Sequence, residues 1–339
     1  MSHTDFNPNN PGTADSNVFG LPYSMDEAQL ILLPVPWEAT VSYGAGTVKG
    51  PEAIFEASKQ IDLFHPLVKE VWKKKIAMDE ISTKMGKLST ESRKKVKKII
   101  AQITAGKKID KQLQKEVNEA CSNMVDEVES RAEKLLNKGK AVAGLGGDHS
   151  TPLGLLRALS KKKKFGILHI DAHCDLRKAY EGFDFSHASI MYNAMQLKNI
   201  QSLTQVGIRD YCEEEVEYIN SSKERVKVFF DRENQAHKLK GGNWDEICKK
   251  IIATLPENVF ISFDIDGLTP DLCPHTGTPV PGGLSFAEAS YLLEQVALKR
   301  NIISFDLNEV SPREDEWDAN VGARMLFQLC CAYFISEKG

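Results

Sequence analysis

Apolar residues along this chain fall into two repeating patterns. The first is a series of short, nearly continuous apolar runs: Leu30 to Val35, Ala141 to Leu145, Phe165 to Ile170, Leu203 to Ile208, Val226 to Phe230, Val259 to Phe263 and Ile302 to Leu307. Runs of this length, rich in β-branched residues, read as strands buried on both faces. Proline closes the first of them at Pro34-Val35-Pro36. The second pattern is helical. Between residues 86 and 140 the chain is rich in Lys and Glu, with Val96, Ile99, Ile100 and Ile103, then Val117, Ala120, Cys121, Met124 and Val128, at three- and four-residue spacing. That spacing predicts two amphipathic helices inserted into the chain and packed on its body. Helix-length segments also separate most of the strand runs. The alternation predicts an α/β fold with a largely parallel sheet and helices on both faces. Ligands of such sheets bind outside the carboxyl ends of the strands. Residues 1–20 carry neither pattern and read as a disordered arm, and no repeat or linker divides residues 21–339, so one domain is expected there.

Composition narrows the class. The chain has 339 residues, 42% hydrophobic and 27% charged, which is enough to bury a large core. A net charge of −4 gives no general attraction to nucleic acid or membrane. The basic runs Arg93 to Lys98 and Lys161 to Lys164 lack interleaved aromatic residues and read as solvated surface. No apolar stretch reaches the ~20 residues of a membrane span, and the N-terminus lacks the basic-then-apolar order of a signal peptide. Seven cysteines without C-x-x-C spacing favour reduced thiols and a cytoplasmic location. The glycines of Gly44-Ala45-Gly46 and Gly50 lack the Gly-Lys-Ser/Thr ending of a phosphate cradle.

The candidate chemistry sits at the strand ends. After Phe165 to Ile170 comes Asp171-Ala172-His173-Cys174-Asp175, which places two carboxylates and an imidazole on one side of an extended chain. After Ala141 to Leu145 comes Gly146-Gly147-Asp148-His149; after Val259 to Phe263, Asp264-Ile265-Asp266; after Leu307, Asn308-Glu309. Each taken alone fits a capping acid or a satisfied histidine. Taken together, that explanation needs four coincidences at four strand ends. His149, Asp171, His173, Asp175, Asp264 and Asp266 are therefore candidate ligands of two divalent cations, which would balance four carboxylates. Oxygen-dominated ligation favours Mn²⁺, with Ni²⁺, Co²⁺ or Fe²⁺ as alternatives.

Gly146 to His149, Asp171 to Asp175 and Ser262-Phe263-Asp264-Ile265-Asp266-Gly267-Leu268, followed by Gly277-Thr278-Pro279 and Gly282-Gly283-Leu284, resemble in order and composition the signatures of the ureohydrolase (arginase/agmatinase) family. The similarity runs from about residue 28 to 335. It implies a three-layer α/β/α fold with a central, mostly parallel sheet of about eight strands and a binuclear manganese site. By that resemblance His149, Asp171, Asp175 and Asp264 hold one metal, and Asp171, His173, Asp264 and Asp266 the other. It also makes His187 the proton shuttle to the leaving amine and Glu309 the carboxylate that grips the guanidinium, so the catalytic set is His187, Glu309 and Asp175. The implied assembly is a homo-oligomer, trimer or hexamer.

The implied reaction is hydrolysis of a guanidino C–N bond, releasing urea. Three departures bear on the substrate: the long helical stretch of residues 73–140, Arg177 where arginases carry an asparagine, and an altered loop from Trp37 to Gly44. Arg177 is expected to pair with Glu181 or Asp184 and leave the pocket closed by Trp37 and Tyr43, which suits agmatine. Free guanidine is the nearest alternative, then arginine or a guanidino acid; formiminoglutamate is disfavoured by the presence of His187. Related single-zinc deacetylases and a non-catalytic metal-binding regulatory relative are the other classes, and the complete ligand set argues against both.

Overall fold

In a computed structural model, which describes residues 6–337, the apolar runs form one parallel sheet of eight strands. They are β1 (Leu30–Val35), β2 (Ile76–Met78), β3 (Ala141–Gly146), β4 (Phe165–Ile170), β5 (Ile200–Val206), β6 (Val226–Phe229), β7 (Asn258–Asp264) and β8 (Asn301–Asn308). Their order across the sheet is β2-β1-β3-β8-β7-β4-β5-β6. Strand β2 has no counterpart among the expected strands; with three residues it is too short to show a pattern. It also explains how a proline sits inside β1. β2 pairs only with Leu30, Ile31 and Leu32, so Pro34 lies beyond its end, on an edge that needs no donor.

The helices are α1 (Gly50–Ser58), α2 (Thr83–Thr104), α3 (Lys111–Asn137), α4 (Leu153–Ser160), α5 (Ile190–Met195), α6 (Glu213–Ser221), α7 (Asp231–Leu239), α8 (Trp244–Thr254), α9 (Phe286–Ala297) and α10 (Trp317–Ser336). Two separate apolar clusters flank the sheet and make three layers. One joins α1, α8, α9 and α10 to one face, with Leu168 and Ile170 of β4 and Val259, Ile261 and Phe263 of β7. The other joins α2 to α5 to the opposite face, with Phe165 and Ile167 of β4 and Phe260 of β7. The period of two in each strand divides the two cores. Helices α2 and α3 begin where their caps dictate: the Ser82 side chain accepts from Met85 N, and Asp110 accepts from Gln112 N and Leu113 N.

Residues 6–20 depart from the expected arm. Val18, Phe19 and Leu21 are buried; Phe19 meets Phe327 of α10 edge-on at 5.6 Å, and Asn17 Oδ1 accepts from Val18 N and from Met78 N of β2. The segment lacks periodicity because isolated contacts, not a repeating face, hold it to the body. Residues 1–5 of the expected arm lie outside the described residues. Among the described residues no helix is long and apolar enough to cross a membrane, and all seven cysteines are free thiols.

Candidate active site

The four strands at the middle of the sheet, β3, β8, β7 and β4, deliver the candidate residues from their carboxyl ends. At the end of β3 the chain turns so tightly that a side chain at Gly147 would strike the carbonyl of Trp37, which accepts from Asp148 N at 2.7 Å. The turn sets His149 beside the end of β8. There His149 N donates to Glu309 Oε1 at 2.8 Å and Glu309 N donates to Gly147 O at 2.8 Å. Glu309 (φ 64°) and Asp175 (φ 54°) both occupy the left-handed region. For non-glycine residues that conformation costs on the order of 1–3 kcal/mol and persists only where the surroundings enforce it.

Six candidate ligands converge. His149 Nδ1 lies 2.9 Å from Asp171 Oδ2, 3.1 Å from Asp264 Oδ2 and 3.4 Å from Asp175 Oδ2. His173 Nδ1 lies 3.1 Å from Asp266 Oδ2 and 3.4 Å from Asp171 Oδ1. Asp171 thus faces both imidazoles, one with each oxygen. Backbone groups hold several of these carboxylates: Ala172 N donates to Asp266 Oδ1, and Asp266 N to Asp264 Oδ1. On its other side, His149 Nε2 meets Ser262 Oγ at 2.9 Å, which turns Nδ1 toward the acids.

Packing so many acids together has an electrostatic consequence. Burial, reinforced by neighbouring carboxylates, pushes the Asp175 and Asp264 carboxyls well above the usual range. Burial opposes ionisation of Asp171 too, but His169, His149 and His173 hold it well below that range. His149 and His173 are raised well above an ordinary imidazole by the same acids, against the effect of burial. Such a cluster fits divalent cations, because their charge would replace the protons the carboxylates otherwise need. Of the three groups of ligand-type atoms within 4.8 Å of one another among the described residues, two lie here, His149–His169–Asp171–Asp175 and Asp171–His173–Asp266, and share Asp171.

His169 was not among the residues expected here. Gln205 Nε2 donates to Cys174 O and to His169 Nδ1, so His169 carries its proton on Nε2 and directs it to Asp171 Oδ2 at 2.8 Å. Burial keeps its pKa below the ordinary value. The period-two series His169, Asp171, His173 carried the signal, but the histidine lies inside an apolar run.

Beside the cluster is a cavity of about 140 Å³. Glu309 lines it, and the second carboxylate oxygen of this buried side chain, Oε2, has no hydrogen-bond partner. His187 lines it as well, held neutral with a pKa brought down to about 3 by burial and by the positive His173, His149 and Arg93. Arg177 and Tyr180 form part of the wall: the Arg177 guanidinium lies over the Tyr180 ring at 5.0 Å, and Tyr180 meets His187 edge-on at 6.0 Å. The expected pairing of Arg177 with Glu181 or Asp184 is absent among the described residues; stacking on Tyr180 takes its place. Trp37, expected to close the pocket, is instead fully buried in the core beneath it, drawn in by the contact of its carbonyl with the β3 turn, and Ser42 from the same loop lines the cavity. Tyr43 is 83% exposed. A larger open groove of about 720 Å³ lies beside Asp15, Tyr23 and Phe55, but no histidine or cysteine lines it.

The sequence profile of the arginase family matches residues 28–332. An N(1)-aminopropylagmatine ureohydrolase of Synechocystis sp. is 30% identical over 295 residues, spanning 85% of this chain and 83% of that protein. An agmatinase of Proteus mirabilis is 34% identical over 222 residues, 64% of this chain and 67% of that protein. The crystal structure of agmatine ureohydrolase of Thermoplasma volcanium superposes with a TM-score of 0.73 at 22% identity, covering 96% of this chain and 97% of that one.

Proposed function

Because the chain belongs to the arginase family, whose members depend on a binuclear metal centre and hydrolyse guanidino C–N bonds with release of urea, we infer that the cavity beside Glu309 is its guanidino site. One observation carries the reading: the unpartnered, buried Glu309 Oε2 faces a cavity that also adjoins the six converging ligands. A buried carboxylate with a free oxygen is matched by a guanidinium, which offers parallel N–H donors to it.

In this reading His149, Asp171, Asp175 and Asp264 hold one cation and Asp171, His173, Asp264 and Asp266 the other, with Mn²⁺ favoured by the oxygen-rich set and Ni²⁺ second. When bound, such a pair supplies a water ready to attack near neutral pH and polarises the reacting carbon. The protein does the rest. Glu309, fixed by His149 N at 2.8 Å, orients the guanidinium and balances its charge. His187, in the cavity wall beside Glu309, is placed to pass a proton to the departing amine. His169, through its bond to Asp171 Oδ2, fixes the orientation of the shared carboxylate.

The substrate has a short tail. A cavity of about 140 Å³ falls well below the roughly 300–1,000 Å³ of sites for larger ligands. The name of the Proteus mirabilis relative and the exposed Asp210 carboxylate in the wall support agmatine, whose distal ammonium it would meet; the name of the Synechocystis relative points to the longer N(1)-aminopropylagmatine. A second reading rests on Arg177, which stacks on Tyr180, pairs with no acid among the described residues, and could receive the carboxylate of a guanidino acid. Measuring kcat/KM for agmatine, guanidine, arginine and 4-guanidinobutyrate at equal metal loading separates the readings. Agmatine should lead; a preference for 4-guanidinobutyrate or arginine that disappears in Arg177→Ala would establish the second. A trimer or hexamer and a cytoplasmic location complete the proposal; a single 37.8 kDa species in light scattering would refute the assembly.

A further inference from the structure

The helical insertion contributes no residue to the cavity, yet two of the loops that line it are attached to the insertion. The first loop carries Ser42. On α2, Ser89 Oγ accepts from Glu38 N at 2.8 Å, and the Arg93 guanidinium, only 8% exposed, donates to Val41 O. The Glu38 carboxylate in turn accepts from Gly46 N at 2.6 Å and Val48 N at 3.2 Å, so the grip on Glu38 extends across the whole loop. The second loop carries Arg177, Tyr180 and His187. Within it Tyr180 and Phe183 exchange backbone hydrogen bonds, making a tight hairpin with Glu181 and Gly182 at its tip. That tip is held by α3: Gln114 Nε2 donates to Gly182 O at 2.9 Å, Asn118 Nδ2 donates to the same oxygen at 3.3 Å, and Asp184 N donates to Asn118 Oδ1 at 3.2 Å. Gly182 has φ 85° and lies so close to Gln114 that a side chain there would strike the amide. The two helices are themselves joined by the Lys95–Glu116 ion pair at 2.8 Å and by Asp110 N donating to Gln102 Oε1 at 2.9 Å.

We propose that the α2/α3 hairpin is a buttress that sets the width of the cavity mouth, with Ser89, Arg93, Gln114 and Asn118 as positioning residues for the loop of Ser42 and the loop of Tyr180. Its effect on substrate rests on the assignment of the cavity as the guanidino site. The tail of the substrate passes the two loops on its way to Asp210, whereas the guanidinium is held by Glu309. Loosening the buttress therefore changes how the tail is read and, because the second loop also carries His187, lowers turnover as well.

The test uses the metal-loaded enzyme with Gln114→Ala/Asn118→Ala, Arg93→Met and Arg93→Lys. Hydrogen exchange in residues 38–48 and 178–187 should rise by about tenfold or more in the first two variants, with the sheet unchanged and metal content retained. KM for agmatine should rise about tenfold while KM for guanidine moves less than about threefold, and any fall in kcat, carried by His187, should be shared by both substrates. Arg93→Lys should recover part of the loss, since an ammonium can still reach one carbonyl. Unchanged exchange in both loops would overturn the buttress, as would a lower melting temperature with every KM intact, which would mark the contacts as packing alone. Should Arg93→Met fail to fold, the partly exposed Gln114/Asn118 pair decides by itself. If no guanidino compound is hydrolysed, the functional reading falls, and the exchange result still decides the buttress.

Discussion

Glu309 shows how one residue is bound by competing demands. Its left-handed backbone, its Oε1 bond to His149 N and its free Oε2 are required together, since the strained turn aims the carboxylate into the cavity. Glu309→Gln keeps a carbonyl oxygen for His149 N and removes the charge. With charged hydrogen bonds contributing about 1.5–3 kcal/mol, kcat/KM should fall by roughly 10- to 150-fold, with the metals retained. His187→Ala should also keep its metals and lose about 10²- to 10⁴-fold in kcat, the usual worth of a positioned proton carrier. Unaltered turnover would leave His187 as a wall residue only. Asp171→Ala should cost both metals, because both imidazoles face its oxygens; elemental analysis finding two metals per chain would remove it from that role. Glu309 and Asp171 stood out in the sequence because each follows a strand end by one residue, whereas His187, in a loop well beyond β4, was reached only through family resemblance. The placements of Trp37 and Arg177 could not be read there. Whether a loop tryptophan faces inward, or an arginine prefers an aromatic face to an acid two turns away, depends on neighbours that the sequence does not place beside them.

The strand ends act as a unit, and their collective charge gives a pH dependence. In the metal-free protein Asp175, Asp264 and Glu309 have raised pKa values, as do His149 and His173. A raised pKa means the folded state keeps protons that the unfolded chain has released, so stability falls as pH rises through the folded values. His187 and His169 are lowered, which works in the opposite sense, but only below the unfolded imidazole value of about 6.5. Asp171 is ionised in both states above that pH. From pH 7 to 9 the raised groups of the cluster act together with six buried cysteines, whose thiols burial also pushes up and which respond alike with and without metal. The melting temperature of the chelated protein should therefore drop more steeply across that interval than that of the metal-loaded protein, whose cations replace the cluster's protons. Parallel curves with and without metal would show that the acids are not what the cations stabilise. At this scale the sequence was informative where a strand is long and buried on both faces, as in β4, β7 and β8. It was silent at β2, and it hid His169 because a polar residue inside an apolar run looks like part of the core.

For the molecule as a whole, the parallel sheet and its two helical layers follow from an alternation that recurs many times along the chain, so no single ambiguous segment could change the outcome. The N-terminal segment has no such redundancy. Its composition, rich in Asn, Pro and Gly, carries no period, yet it crosses from α1 to β2 and α10: Gly12 N donates to Lys59 O at 2.9 Å, Phe19 N donates to Ser58 Oγ at 2.9 Å, and the Phe19 ring lies against Phe327. The segment thus joins elements that are distant in sequence, and none of its residues touches the central strand ends. Phe19→Ala should cost about 3–5 kcal/mol, the range for a large aromatic removed from a packed core. For a chain of this size that corresponds to a fall in melting temperature of roughly 4–7 °C. Metal content and kcat/KM of the folded enzyme at low temperature should be unchanged, because the lost contacts are to α1 and α10 in one helical layer and the chemistry lies at the strand ends. A variant that melts with the parent would mean the segment rests on the surface without stabilising it. One that loses metal at low temperature would mean the helical layer and the strand ends are coupled through α10 and β8.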